Sequence, residues 1–127
     1  MTMNIGNEPN AFSVAATVAA YNHGGPWLDE LRSYLFENKQ TVLEYVRKNI
    51  PSLYIVPSQA TYLLWLDCSA FTSDSKKFAD EIRSKSGLFL SNGAQYGEPG
   101  KSFLRMNIAC PRTLLLDGLD RLKRALC

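Results

Sequence analysis

One arginine stands in the middle of a strand-like run, Phe103-Leu104-Arg105-Met106-Asn107-Ile108. A guanidinium keeps its proton and is rarely buried without a partner. Alternate side chains of a strand share a face. Phe103, Arg105 and Asn107 therefore lie on one side, and Leu104, Met106 and Ile108 form the core side. The first set leaves two readings open. It is either a solvent-facing strand, or a surface on which Arg105 and Asn107 donate to a ligand. A bidentate arginine is well matched to a carboxylate. Immediately upstream, Ser91 to Ser102 forms a glycine-rich loop with Gly93, Gly97, Pro99 and Gly100. Phosphate cradles normally feed a helix N-terminus; this loop feeds a strand, which disfavours one. Tyr96 within it either meets a ligand, by stacking or hydrogen bonding, or anchors the loop.

The other reactive residue types form no constellation. Lys101 follows Gly100, and nothing in its surroundings suggests the depressed pKa of a Schiff-base lysine. Asp67, Asp117 and Asp120 make no evident acid–base pair, and no metal-ligand spacing is present. The three cysteines, Cys68, Cys110 and Cys127, are odd in number and far apart, so reduced thiols are expected. Cys110 precedes a helix start, a position that can lower a thiol pKa, but no base stands beside it. The single histidine, His23, sits where a helix ends.

A chain of 127 residues fits one domain with a modest core. A net charge of +2 is too small for a nucleic-acid footprint. No apolar run is long enough to span a membrane. The N-terminus does not read as a signal peptide, and a cytoplasmic location is expected.

After a polar lead-in, Ala11 to Tyr21 is alanine-rich and predicts a helix, capped by Asn10 and packed closely against something. Gly24-Gly25-Pro26 stops it. Pro26 opens a second helix that runs to about Asn49, with acids early and bases late. Short strands are predicted over Leu53–Val56 and Ala60–Asp67, the second covered on both faces. A third helix starts at Asp74 or Ser75, buries Phe78, Ala79 and Ile82, and stops at Gly87. Leu88–Leu90 and Phe103–Ala109 complete the strands. Pro111 opens the last helix, whose stripe is Leu115, Leu119, Leu122 and Leu126. The fold class is α/β, an α+β sandwich with a small mixed, largely antiparallel sheet covered by helices.

Several stretches carry a specific resemblance: Asn10-Ala11-Phe12, Trp27-Leu28-Asp29, Ala60-Thr-Tyr-Leu-Leu-Trp-Leu-Asp67, Leu90-Ser-Asn-Gly93 with Tyr96-Gly97, and Phe103-Leu-Arg-Met-Asn-Ile-Ala-Cys-Pro-Arg112. From about Glu8 to Leu126 the chain resembles the C-terminal part of fold-type I pyridoxal-phosphate enzymes. These are the aminotransferase class I/II superfamily, and within it the cystathionine β-lyase-like C–S lyases of the MalY/PatB kind. The resemblance implies that residues 1–25 are a lead-in and a helix from the end of a large domain, and that 26–127 are the small domain. It implies that Arg105 pairs with the α-carboxylate of an amino-acid substrate; Asn107, on the same strand face, and Tyr96, in the loop, are the further candidate substrate-binding residues. Pyridoxal 5'-phosphate would serve the full-length parent as electron sink. That parent is expected to be a homodimer, with no nucleic-acid or membrane partner.

The same resemblance places the cofactor lysine, the phosphate loop, the aspartate on the pyridine nitrogen and the ring-stacking tyrosine upstream of Asn10. No residue here matches them. The expectation is thus a truncated piece that binds no cofactor and catalyses nothing alone. The parent would be a lyase or a transaminase, a choice Arg105 cannot make because it serves both. The alternative is a stand-alone, non-catalytic α/β domain that binds amino acids or a partner.

Overall fold

The computed structural model describes residues 10–126. The lead-in over residues 1–9 and Cys127 lie outside the described residues. The chain divides into two compact units, residues 1–34 and 35–127.

In the first unit, α1 (Ala11–His23) starts at Asn10, whose Oδ1 accepts from the Ser13 N–H at 2.8 Å. Gly24 ends it, donating its N–H to the Ala20 carbonyl. None of its residues is buried. Phe12 and Tyr21 are each 88% exposed, so the close packing expected of this helix is not supplied by the described residues. α2 (Gly25–Asn49) begins in this unit with Pro26 in its first turn, where a missing N–H costs nothing.

The second unit holds the rest of α2 and everything after it. A four-stranded sheet runs in the order β1 (Tyr54–Ile55), β2 (Leu63–Asp67), β4 (Phe103–Asn107), β3 (Ser91–Asn92). Every pairing is antiparallel. One face of the sheet presents Ile55, Leu64, Leu66, Leu104 and Met106 to a single core. Val42, Val46 and Ile50 from α2 and its end meet them there. So do Ala79 and Ile82 from α3 (Ser75–Ser86), and Leu115, Leu119 and Leu122 from α4 (Arg112–Leu126). This is a two-layer α/β sandwich.

The helix ends follow their capping chemistry. Asp74 Oδ1 accepts from the N–H groups of Lys76 and Lys77, and Gly87 closes α3 in the left-handed region at φ 72°. A buried polar tie then fixes α2 to the chain leaving β4. Asn38 is fully buried; its Nδ2 donates to the carbonyls of Ile108 (2.9 Å) and Cys110 (3.0 Å). Its oxygen accepts from Arg112 Nε at 3.0 Å, and Arg112 also pairs with Glu37.

Three expectations need correction. The third strand is Ser91–Asn92, not Leu88–Leu90. Leu90 is buried in the core and Leu88 half-buried, so their spacing marks packing, whereas the ladder bonds form further on, at Ser91 opposite Arg105. β2 starts at Leu63 rather than Ala60, because Thr61 takes φ 70°, a conformation foreign to a strand and costly for a β-branched residue. Nor is β2 covered on both faces: Leu64 and Leu66 are buried, while Leu63, Trp65 and Asp67 are half-buried.

Candidate functional site

The face of the sheet opposite the core carries the candidate residues. Trp65 on β2 stands opposite Arg105 on β4, and Ser91 on β3 stands opposite it on the other side. Phe103 and Arg105 are half-buried and Asn107 is exposed. The alternation read from the sequence is thus the observed one, with Leu104 and Met106 pointing to the core.

The stretch from Ser91 to Ser102 is more ordered than a plain glycine loop. After β3 it makes two consecutive 3-10 turns, Gly93–Tyr96 and Glu98–Ser102. Asn92 caps the first, accepting from the Gln95 N–H. The turns cross backbone to backbone at Gly93 and Gly100: a Cβ on Gly93 would lie 2.3 Å from the Gly100 oxygen. Ser75, fully buried at the start of α3, pins the crossing. Its hydroxyl accepts from the Ala94 N–H at 3.1 Å and donates to the Gly100 carbonyl at 3.3 Å.

This double turn delivers Tyr96 to Arg105. The guanidinium carbon lies 4.7 Å from the centre of the tyrosine ring. Trp65 meets the same ring edge-on, with centroids 5.5 Å apart, and packs edge-on against Phe103. The ion pairs among the described residues are Arg32–Asp29, Lys101–Glu98, Arg112–Glu37 and Arg121–Asp117. Arg105 takes part in none, and no hydrogen bond holds its guanidinium there. Its half-buried guanidinium thus keeps its donors unpaired among the described residues, beside an aromatic pair, an arrangement able to take a carboxylate. Asn107 lies two residues further along the same face. Its oxygen accepts from the Ala109 N–H at 2.8 Å, which leaves the amide nitrogen as its donor.

Trp65 and Ser75 went unnoticed in the sequence as parts of this arrangement. Trp65 is embedded in an apolar run and reads as core; only its register opposite Arg105 could have marked it. Ser75 reads as a helix cap, a task Asp74 performs.

Of the other candidates, Asp67 shares this face, opposite Phe103, without an ion pair to Arg105, and Lys101 lies in the second 3-10 turn. Lys101 pairs with Glu98 at 2.8 Å, and that hydrogen bond raises its amine pKa, the direction opposite to what a nucleophilic amine needs. Asp67 accepts from Ser69, which holds its carboxyl below the usual value. Among the described residues no cluster of acids, histidine and cysteines could hold a metal ion. Asn107 and Cys110 also line a groove of about 450 Å³ between Leu88–Leu90 and the start of α4.

The Cys110 thiol is shifted upward, not downward, and burial is the cause. Cys68 is more extreme. Burial first, then the nearby Asp67 charge, push its thiol up to about 12. Because the folded value is raised, the neutral buried thiol stabilises the fold below pH 9.0, and that contribution is lost as pH rises through about 12. At pH 9 we expect iodoacetamide to alkylate Cys68 on the order of a hundred-fold more slowly in the folded chain than in urea. Equal rates, read by peptide mass spectrometry, would contradict this burial.

Comparison with known proteins gives a consistent picture. No family model matches the chain. It is 38% identical over 117 residues to the cystathionine β-lyase PatB of Bacillus subtilis, covering 92% of this chain and 30% of that protein. It is 33% identical to the protein MalY of Escherichia coli, covering 94% and 31%. Among solved structures, the pyridoxal-phosphate-bound C–S lyase of Staphylococcus hominis superposes with a TM-score of 0.85 at 31% identity, covering 92% of this chain and 31% of that one. Cystalysin of Treponema denticola, which contains pyridoxal 5'-phosphate, superposes with a TM-score of 0.87 at 28% identity, covering 92% and 30%. The chain spans about three-tenths of the length of the curated relatives it matches, and it matches their C-terminal part.

Proposed function

The chain belongs, as a counterpart of their C-terminal part, with the pyridoxal-phosphate-dependent C–S lyases and aminotransferases, and from that premise we propose that it grips the α-carboxylate of an amino-acid substrate through Arg105. One observation carries the reading: a half-buried guanidinium held against an aromatic ring, with no carboxylate partner among the described residues. A planar fork of N–H donors matches the two oxygens of a carboxylate. The half-buried setting strengthens the attraction above its value in open water. Gripping the carboxylate fixes the rotation of the substrate about Cα, which is the positioning a reaction at Cα requires. Asn107 supplies a further donor on the same face, and Tyr96 borders the site.

The described residues do not fit the cofactor itself. Lys101 is exposed, ion-paired and raised in pKa. The glycine-rich double turn ends in a strand, and its N–H groups do not open a long helix. Pyridoxal phosphate therefore belongs, in this proposal, to the parts of the relatives that have no counterpart here, and this chain's share is binding and orientation. We further propose that residues 1–25 are the end of a large domain, that 26–127 form the small domain, and that the whole protein is a cytoplasmic homodimer. Among the described residues no helix is long and apolar enough to cross a membrane. The exposed Phe12, Tyr21 and Trp27 suit a surface made to be covered, which supports the piece-of-an-enzyme reading over a stand-alone binding domain.

The purified chain, given pyridoxal phosphate and L-cystathionine, is expected to release no pyruvate and to keep no cofactor absorbance after dialysis. Turnover together with a cofactor band that survives dialysis would overturn the division of labour proposed here.

A further inference from the structure

We propose that Tyr96 is a positioning residue for Arg105 rather than a group that touches the substrate, and that Ser75 sets Tyr96 in turn. The inference rests on the carboxylate-binding reading of Arg105 and deepens it. An arginine side chain has many rotamers, and one without an ion pair would lose that freedom only when ligand arrives. Here the ring of Tyr96 takes the guanidinium at 4.7 Å without using its N–H donors in ion pairs. Trp65, edge-on at 5.5 Å, holds the ring from the neighbouring strand. Arg105 and Trp65 are cross-strand partners, so both sides of the contact are built on the sheet.

Tyr96 is itself fixed by the double turn. The Gly93–Gly100 crossing leaves no room for side chains. Ser75, buried in the first turn of α3, bonds both limbs of the turn, at the Ala94 N–H and the Gly100 carbonyl. A line of contacts thus runs from α3 through Ser75 and the turn to the tyrosine ring and the guanidinium. Its effect is to spend the ordering of Arg105 during folding instead of during binding.

The test is a set of variants of the whole chain, Tyr96→Ala, Tyr96→Phe, Ser75→Ala and Arg105→Ala. Each is checked for folding by circular dichroism and titrated with propionate by NMR. A second readout is the solvent-exchange rate of the Arg105 Nε–H. Tyr96→Ala is expected to weaken propionate binding about two- to five-fold, the size of a cation–π contact at a part-exposed site, and to speed Nε–H exchange. Tyr96→Phe keeps the ring and is expected to match the parent chain in both. Ser75→Ala is expected to shift both readouts in the direction of Tyr96→Ala. Unchanged affinity and exchange in Tyr96→Ala overturn the proposal. So does weakened binding in Tyr96→Phe, which would make the hydroxyl a ligand contact. If Arg105→Ala binds propionate as well as the parent chain, the carboxylate-binding reading fails instead, and the exchange rates still decide whether Tyr96 orders the arginine.

Discussion

Alanine at Gly93 is expected to destabilise the second unit by about 3 kcal/mol or more, toward the upper end of what overpacking costs. The added Cβ would stand 2.3 Å from the Gly100 oxygen and 2.7 Å from the Phe103 oxygen. Both obstacles are backbone atoms, so no side-chain rotamer relieves the clash. The crossing is reciprocal, since a Cβ on Gly100 would stand 2.1 Å from the Gly93 oxygen. The turn has to open, which breaks the Ser75 bonds and pulls Tyr96 from Arg105. Against a typical domain stability of about 5–15 kcal/mol, this is a large share. The urea midpoint measures it, with Gly25→Ala as control, because a Cβ there meets nothing within 4 Å. An unchanged midpoint for Gly93→Ala would show that the crossing is not as close as described.

Arg105→Ala is expected to lower carboxylate affinity about ten- to a hundred-fold while leaving the fold intact. Charge-assisted hydrogen bonds contribute about 1.5–3 kcal/mol, which converts to that range. The fold is spared because no partner among the described residues is left with an unpaired charge, and the side chain is only half-buried. Arg105→Lys keeps the charge but not the fork, so a partial loss is expected. Calorimetric titration with propionate reads all three chains. Equal affinity in Arg105→Ala would remove the arginine from the site.

The helices were legible in the sequence because their signals are local. Asn10, Pro26, Asp74 and Gly87 each act within one turn of their own position, and each bounds a helix as expected. The leucine stripe of α4 follows from one period. The strands were less legible because pairing depends on a distant segment. Leu88 and Leu90 alternate like a strand, yet the ladder forms at Ser91 and Asn92. Thr61 breaks an apolar run that composition alone extends to Ala60.

The site divides in the same way. An arginine isolated among strand residues is visible in one dimension, and so is the side of the strand it takes. The contact of Tyr96 with Arg105 is not, because it needs two 3-10 turns to fold back through a glycine crossing. Trp65 is hidden for a related reason: an aromatic residue between two leucines reads as core until its register is known. The Cys110 thiol is a similar case, since its burial, which raises its pKa, depends on the tertiary fold and not on its place before a helix.

The central claim is that Arg105 recognises a substrate carboxylate on the open face of the sheet. Its most direct test is a residue-resolved NMR titration of the chain with L-alanine and, in parallel, with ethylamine, which lacks the carboxylate. The account predicts saturable shifts centred on Arg105, Tyr96 and Trp65 with L-alanine, none with ethylamine, and their disappearance in Arg105→Ala. Shifts of the same size with both compounds, or shifts with L-alanine that persist in Arg105→Ala, would contradict it.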